Sequence, residues 1–222
     1  MSGTLPLTIG NFQSMSYLVL SGKKIGGTIP STIGALTSLT ILDISLNSLN
    51  GAIPSSMGAL TSLTFLSLDF NAFIGTIPSG ISVLKSLRYL GISHNYFNGI
   101  IPSSIGAMTN LVVIDFSYNF FNGTIPSTMS ALTSLEYVSL RNNYLTMGTA
   151  TTVPTSTFSS FTLSKDIILS DNCLVFDTVS PYRHVTATHC APTSKYQLTV
   201  ASCNSVSYMI IIPIPFSICR HE

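Results

Sequence analysis

Proline recurs at positions 6, 30, 54, 78, 102 and 126, each step 24 residues long with no insertion or deletion. A fixed period of this length means that each copy is one small structural unit. Such a unit cannot bury its apolar face alone and must stack on its neighbours. Other columns move with the proline. Apolar pairs run Leu18/Leu20, Leu42/Ile44, Leu66/Leu68, Leu90/Ile92, Ile114/Phe116 and Val138/Leu140. Asparagine occupies 47, 71, 95, 119 and 143, and glycine occupies 27, 51, 75, 99 and 123. The columns predict a linear array over residues 1–145 in six phases, the first incomplete, rather than a chain wrapped around one central core.

Each column has a physical reason. In SLTILDISLNSLNGAIP (38–54), Leu42 and Ile44 alternate with Ile41, Asp43 and Ser45, the period of a strand with one buried face. One such strand per copy predicts a parallel sheet with about 4.8 Å between neighbours. Leu49 and Ile53 are expected to turn inward behind it. Asparagine suits the corner because its amide both donates and accepts hydrogen bonds. Glycine admits the positive φ of a tight path, and proline, lacking an N–H, belongs where no ladder bond is made. In SSMGALTSL (55–63), Met57, Leu60 and Leu63 are spaced for a short helix or 3₁₀ stretch.

The pattern LxxLxxLxLxxNxLxGxIPxxIGxLxxL over residues 4–145 resembles the plant-type leucine-rich repeat. Receptor-like kinase ectodomains, polygalacturonase-inhibiting proteins and leucine-rich surface antigens of kinetoplastid protists share it. The resemblance implies an α/β solenoid: a right-handed superhelix with a concave parallel β-sheet, a second short sheet near the GxIP segments, and convex short helices or 3₁₀ turns. It is less telling about function, since the same scaffold binds peptides, steroids, glycans, proteins and ice.

Several positions depart from the pattern. Lys23 stands at the first corner, so the first turn should be less regular. After Asn143 the register breaks, and the next proline, Pro154, lies 28 residues on. DIILSDNCL (166–174) reads as a last, degenerate repeat, with Ile167 and Leu169 inward and Asn172 at the corner. Residues 146–190 are therefore expected to form an irregular last repeat and C-terminal cap, and residues 191–222 a cysteine-containing apolar tail. Its segment VSYMIIIPIPFSIC (206–219) is either the start of a truncated membrane anchor or a strand pair finishing the cap, being shorter than the roughly 20 residues of a span. MSGTLPLTIG begins in mid-repeat with neither a basic stretch nor a long apolar one. The chain is accordingly expected to be a fragment or an N-terminally truncated product; the rival is an isoform starting at Met1 and capped by a partner.

All four cysteines follow the regular repeats. Four cysteines allow three pairings; the spacing of Cys173 and Cys190 fits a disulfide closing the cap, with Cys203 and Cys219 unassigned. The rival zinc reading of His184, His189 and Cys190 matches no familiar ligand spacing. Asn122-Gly123-Thr124 is an N-glycosylation sequon, which together with the cysteines points to an extracellular or cell-surface glycoprotein.

Chemistry is scarce. Only 8% of the residues are charged and the net charge is +1, too little positive charge to neutralise a run of phosphates, so nucleic acid is not expected as a partner. The 34 serines and 25 threonines supply most of the polar surface. SGKKIGG (21–27) lacks the spacing of a phosphate cradle, and no nucleophile elbow or kinase motif occurs. Asp43 and Asp115 lie three repeats apart, about 14 Å by strand spacing, beyond the roughly 10 Å of a glycosidase pair. Asp43 and Asp69 are nearer, but are read as lying on an open face with nothing to shift their pKa. No catalytic site, cofactor or metal is expected.

What remains is the concave face. One outward column reads Tyr17, Ile41, Phe65, Tyr89, Val113, Tyr137; another reads Gly22, Leu46, Phe70, His94, Tyr118, Asn142. Asp43, Asp69, Asp115, Ser139 and Arg141 lie between them. Aromatic stripes flanked by a few charges suit recognition, although aromatics also stack along a sheet to stabilise it. Phe65, Tyr89, Phe70, Tyr118 and Tyr137 are expected to anchor a protein, peptide or glycan, with His94 beside them and the aspartates setting polar selectivity. Arg141 is a candidate contact, although with Glu136 it also reads as a solvated strand residue. Membrane association would come only through a missing or truncated anchor. One alternative is a surface-coat protein without a specific ligand. Another is an ice-binding protein using Thr28, Thr76 and Thr124, a ladder broken by Ala52 and Ile100; there Ser31, Ser55, Ser79, Ser103 and Ser127 are expected to cap the convex helices.

Overall fold

The structure, a computed structural model, describes residues 3–146 and 166–172, and the backbone of strands at 184–187, 207–211 and 217–219. Every repeat contributes two short strands. The first set comprises β1 (Gly3–Thr4), β3 (Ile25–Thr28), β5 (Ser48–Gly51), β7 (Ala72–Gly75), β9 (Tyr96–Ile100), β11 (Phe120–Gly123) and β13 (Tyr144–Leu145). These strands pair in that order, all parallel, into a seven-stranded sheet. The second set comprises β2 (Tyr17–Val19), β4 (Ile41–Asp43), β6 (Phe65–Ser67), β8 (Tyr89–Gly91), β10 (Val113–Asp115), β12 (Tyr137–Ser139) and β14 (Asp166–Ile168). These strands form the concave sheet, in which Leu42 pairs with Leu18 and Leu66 in register. Beyond β14 the concave sheet continues through β15 (His184–Ala187), which is parallel, and then β16 (Ser207–Ile211) and β17 (Ser217–Cys219), which are antiparallel. Of the two readings of the apolar tail, the strand pair is the one the structure contains. Among the described residues no helix is long and apolar enough to cross a membrane. The expected Cys173–Cys190 pair and the rest of the 146–190 and 191–222 segments lie outside the described residues.

The convex side is 3₁₀ throughout: Leu7–Asn11, Ser31–Ala35, Ser55–Ala59, Ser79–Val83, Ser103–Ala107 and Ser127–Ala131. Each of the six begins after a proline in extended geometry, with no side-chain cap. The expectation that the serine hydroxyls cap these segments therefore fails. A 3₁₀ turn of five residues follows directly from proline's fixed φ, and the serines face solvent instead.

Between the two sheets the apolar columns fill the interior. Ile33, Leu36, Leu39, Leu42, Ile44 and Leu49 are each fully buried within one repeat. In the middle of the array the Leu49 column becomes Phe73, Phe97 and Phe121, whose rings stack at 6.0 and 6.2 Å between centroids. The glycine column has φ between 72° and 83°, and a Cβ at Gly51, Gly99 or Gly123 would collide with the side chain at the equivalent threonine or isoleucine one repeat back.

The corner asparagines tie the turns together. Asn95 Oδ1 accepts from Phe73 N at 3.0 Å, and Asn95 Nδ2 donates to Leu68 O at 3.0 Å, both in the preceding repeat, and to Ile92 O and Ser93 O of its own. Asn47, Asn71, Asn119, Asn143 and Asn172 repeat the arrangement. Ile167 and Leu169 are fully buried and Asn172 nearly so, so the degenerate repeat is built as its sequence implies. At the first corner Lys23 cannot accept. Asn47 Oδ1 takes both Lys23 N and Ile25 N at 3.0 Å, and Lys24 between them has φ 58°. Replacing Asn95 by alanine leaves Phe73 N–H buried without a partner and takes from Leu68 O one of its two amide donors, the other being Asn71 Nδ2. The expected cost is on the order of 3 kcal/mol. Asn47→Ala, at a half-exposed corner, should cost less; urea unfolding of both variants measures the difference.

Candidate functional site

The concave strands are three residues long, so each offers two outward positions flanking one buried leucine-type residue. The chain then bends at the corner, where one further column turns out at positive φ. Leu46, Phe70, His94, Tyr118 and Asn142 have φ between 52° and 55°, and Asp171 has φ 59°. This left-handed conformation costs a non-glycine residue about 1–2 kcal/mol. Sequence reasoning placed these residues in one column but gave no sign of their backbone.

The left-handed turn directs the aromatic side chains into one ladder. Phe70 stacks on His94 with centroids 4.0 Å apart, and His94 on Tyr118 at 4.1 Å, with interplanar angles of 12° and 14°. Arg141 Cζ lies 5.6 Å from the Tyr118 centroid and its Nε donates to Asp171 Oδ2 at 2.9 Å. Arg141 is thus not a freely solvated strand residue: it closes the ladder, held by a ring on one side and a carboxylate on the other. Its side chain remains 46% exposed. In the other column Phe65 stacks on Tyr89 at 4.4 Å and 11°. Tyr137 is in the same column but separated from Tyr89 by Val113.

Asp69 joins the columns. Its Oδ1 accepts from Ser93 N at 2.6 Å and Ser93 Oγ at 2.8 Å, and its Oδ2 from Ser67 Oγ at 2.8 Å. Tyr89 Oη lies 3.5 Å from Oδ2. The carboxylate fits because residue 91 is glycine; a Cβ at Gly91 would run into Asp69 Oδ2 and the Tyr89 ring. Only 8% of Asp69 is exposed. Burial pushes its pKa up, against the lowering pull of the Ser67 and Ser93 hydrogen bonds. The expectation of an open aspartate with nothing to shift its pKa is therefore corrected: the position belongs to the column of Ser45, Ser93 and Ser117, which lies at the rim of the core. Desolvation and the nearby Asp69 carboxylate raise the Tyr89 pKa, and desolvation and Asp115 raise that of Tyr137. Asp43 and Asp115 are half-buried. The Oδ1 of each accepts from the serine two residues on, Ser45 or Ser117, just past the strand: from its N at 3.0 Å and from its Oγ at 2.6 Å. Ser139 is buried. No cluster of three or more metal-ligating side chains occurs among the described residues.

A second stripe was not singled out from the sequence. Tyr96, Phe120 and Tyr144 follow the corner asparagines by one residue and stack at 6.0 and 5.9 Å on the outer face of the seven-stranded sheet. They are 54%, 42% and 49% exposed. Their 24-residue spacing was a readable signal, but the preceding members of the column, Ser48 and Ala72, hide it.

This chain belongs to the leucine-rich-repeat family: the leucine rich repeat model matches residues 13–73 and 85–145, more than half its length. No curated protein sequence gives a significant match. Among solved structures it is similar to the ectodomain of the membrane receptor kinase GASSHO1/SCHENGEN3 from Arabidopsis thaliana, solved with CASPARIAN STRIP INTEGRITY FACTOR 2. The identity is 30%, over 86% of this chain and 24% of that one, with a TM-score of 0.73. The plant peptide hormone receptor RGFR1, in complex with RGF2, gives 27% identity over 78% of this chain and 31% of that one, TM-score 0.67. A plant ice-binding protein gives 25% identity over 84% of this chain and 68% of that one, TM-score 0.67. The chain spans about a quarter to a third of the two receptor ectodomains.

Two outcomes test this geometry. At position 94, Ala loses two stacking contacts and keeps the left-handed strain, whereas Gly loses the contacts and the strain together. His94→Gly should thus destabilise less than His94→Ala, by roughly 1 kcal/mol, in urea titrations. For Asp69, the native pKa lies above the unfolded value, so the native state binds the proton more readily. Stability attributable to this group rises as pH falls through the raised native pKa and levels off below about 3.8. Unfolding from pH 7 to 3 should show wild type gaining on Asp69→Asn as the pH drops.

Proposed function

We propose that this chain is a non-enzymatic recognition module, part of an extracellular or cell-surface protein, whose concave face takes an extended peptide or a peptide segment of a partner protein. The observation that carries this reading is the half-exposed ladder of Phe70, His94 and Tyr118 closed by Arg141, set beside the Phe65–Tyr89 pair. Preordered rings offer contact area at low entropic cost, and a guanidinium already oriented by Tyr118 and Asp171 can meet a carboxylate with its remaining donors. Asp43 and Asp115, on either side of the pair, supply acceptors. Two of the similar ectodomains were solved with peptide hormones or factors bound, which supports a peptide over a glycan.

The ice-binding reading draws on the similarity to a plant ice-binding protein and on Thr28, Thr76 and Thr124. Against it, Ala52 and Ile100 interrupt the threonines, and Tyr96, Phe120 and Tyr144 break the flat hydroxyl surface that ordered water requires. Thermal hysteresis at millimolar protein would revive it.

Panning a random peptide display library on the immobilised protein tests the main reading. A saturable binder is expected, weakened about 30-fold or more by Phe65→Ala with Tyr89→Ala, as for interface hot spots, and also by Arg141→Gln, with unfolding midpoints close to wild type. Equal losses of folding and binding would make these residues structural, and no saturable binder would leave the surface-coat reading.

A further inference from the structure

We infer that Asn122 carries an N-linked glycan whose first sugar lies on the Phe120 ring, covering the aromatic stripe of the seven-stranded sheet. Along β11 and the two residues after it the exposure alternates, so that Phe120, Asn122 and Thr124 are exposed while Phe121 and Ile125 are buried. Asn122 thus projects beside Phe120 and directly precedes Gly123 at φ 72°. Across the strand pairs it is in register with Ile100 on one side and Tyr144 on the other, both exposed. The sequon therefore sits within the exposed apolar patch rather than at its margin. Equivalent asparagines occur in Asn50-Gly51-Ala52 and Asn98-Gly99-Ile100, but only Asn122 has a hydroxyl residue two positions on. Of these three, only Asn98 and Asn122 have an aromatic residue two positions before them, so residue 122 alone combines ring, amide and hydroxyl.

The ring spacing favours a sugar over another flat ring. On the concave face the rings meet at 4.0–4.4 Å and cover one another. On the outer stripe, centroids 5.9–6.0 Å apart at 14–17° leave the rings slid past each other, with part of each face open. The apolar face of N-acetylglucosamine, lined by axial C–H bonds, fits such a half-open ring and keeps its hydroxyls in water. The transfer forms a bond from Asn122 Nδ2 to the sugar's anomeric C1. It breaks the bond from that carbon to the pyrophosphate of a lipid-linked oligosaccharide donor, releasing lipid pyrophosphate and one amide proton.

This inference rests on the extracellular part of the proposed function and on nothing at the concave face. The test supplies secretion itself, so that its failure is distinct from a failure of that reading: the chain is expressed in a eukaryotic host behind an added leader. Peptide mass spectrometry is expected to find Asn122 occupied. The glycosylated chain should melt about 3 °C above Asn122→Gln, the shift of a modest contact in a chain of this size. In a Phe120→Ala background the same comparison should show less than about a third of that gain. An unmodified Asn122, or an equal gain with and without the Phe120 ring, overturns the inference.

Discussion

The corner asparagine is the interaction on which this structure depends. Backbone bonds within a sheet join neighbouring strands, but they do not fix how the chain turns from the concave sheet to the outer one. Each corner amide does both. Its Oδ1 takes the N–H of the preceding repeat, while Nδ2, with two hydrogens, serves three carbonyls from two repeats. Because the groups it satisfies are buried, losing one amide orphans the N–H of the preceding repeat and weakens the pairing of carbonyls in two repeats at once. The coupling between turns is therefore stronger than packing of leucines alone would give, in keeping with the one-dimensional cooperativity of solenoids.

The same corner fixes the surface proposed for recognition. The residue just before each asparagine is driven to left-handed φ, and that conformation projects Phe70, His94 and Tyr118 as one stack. Strain of about 1–2 kcal/mol and stacking of about 0.5–1.5 kcal/mol are of similar size, so the ladder adds little net stability to the fold. An arrangement that neither stabilises nor destabilises the scaffold leaves the side chains in this column open to change for other reasons. The leucine columns have no such freedom.

The array was legible in the sequence because its determinants are periodic: Leu42 and Ile44, Asn47, Gly51 and Pro54 each recur with one physical task. The degenerate repeat was legible for the same reason, through Ile167, Leu169 and Asn172. What could not be read was any property set across repeats by a residue that breaks its own column. Asp69 stands among serines, and its burial depends on Gly91 a repeat later; neither residue alone suggests a buried carboxylate. Arg141 likewise takes its partners from Tyr118, one repeat back, and from Asp171, 30 residues on, beyond the break in the period. Serine capping was expected from a general preference of helices, and failed because proline already sets the entry of each 3₁₀ turn.

Ring spacing connects curvature to the different uses proposed for the two faces. Identical 24-residue steps bring rings to within 4.0–4.4 Å on the concave sheet, but to only 5.9–6.2 Å in the phenylalanine spine and on the outer stripe. The repeats are wedges, narrow on the concave side. Rings there meet face to face in the Phe70–His94–Tyr118 ladder and the Phe65–Tyr89 pair, and their exposed edges, hydroxyls and guanidinium suit the long ligand proposed above. On the outer side the wedge opens, leaving partly uncovered ring faces that suit a small group held from a single repeat. One repeat geometry thus yields a long shared surface on one side and separate local sites on the other, and the columns facing each side can vary without altering the asparagine and leucine positions that hold the turns together.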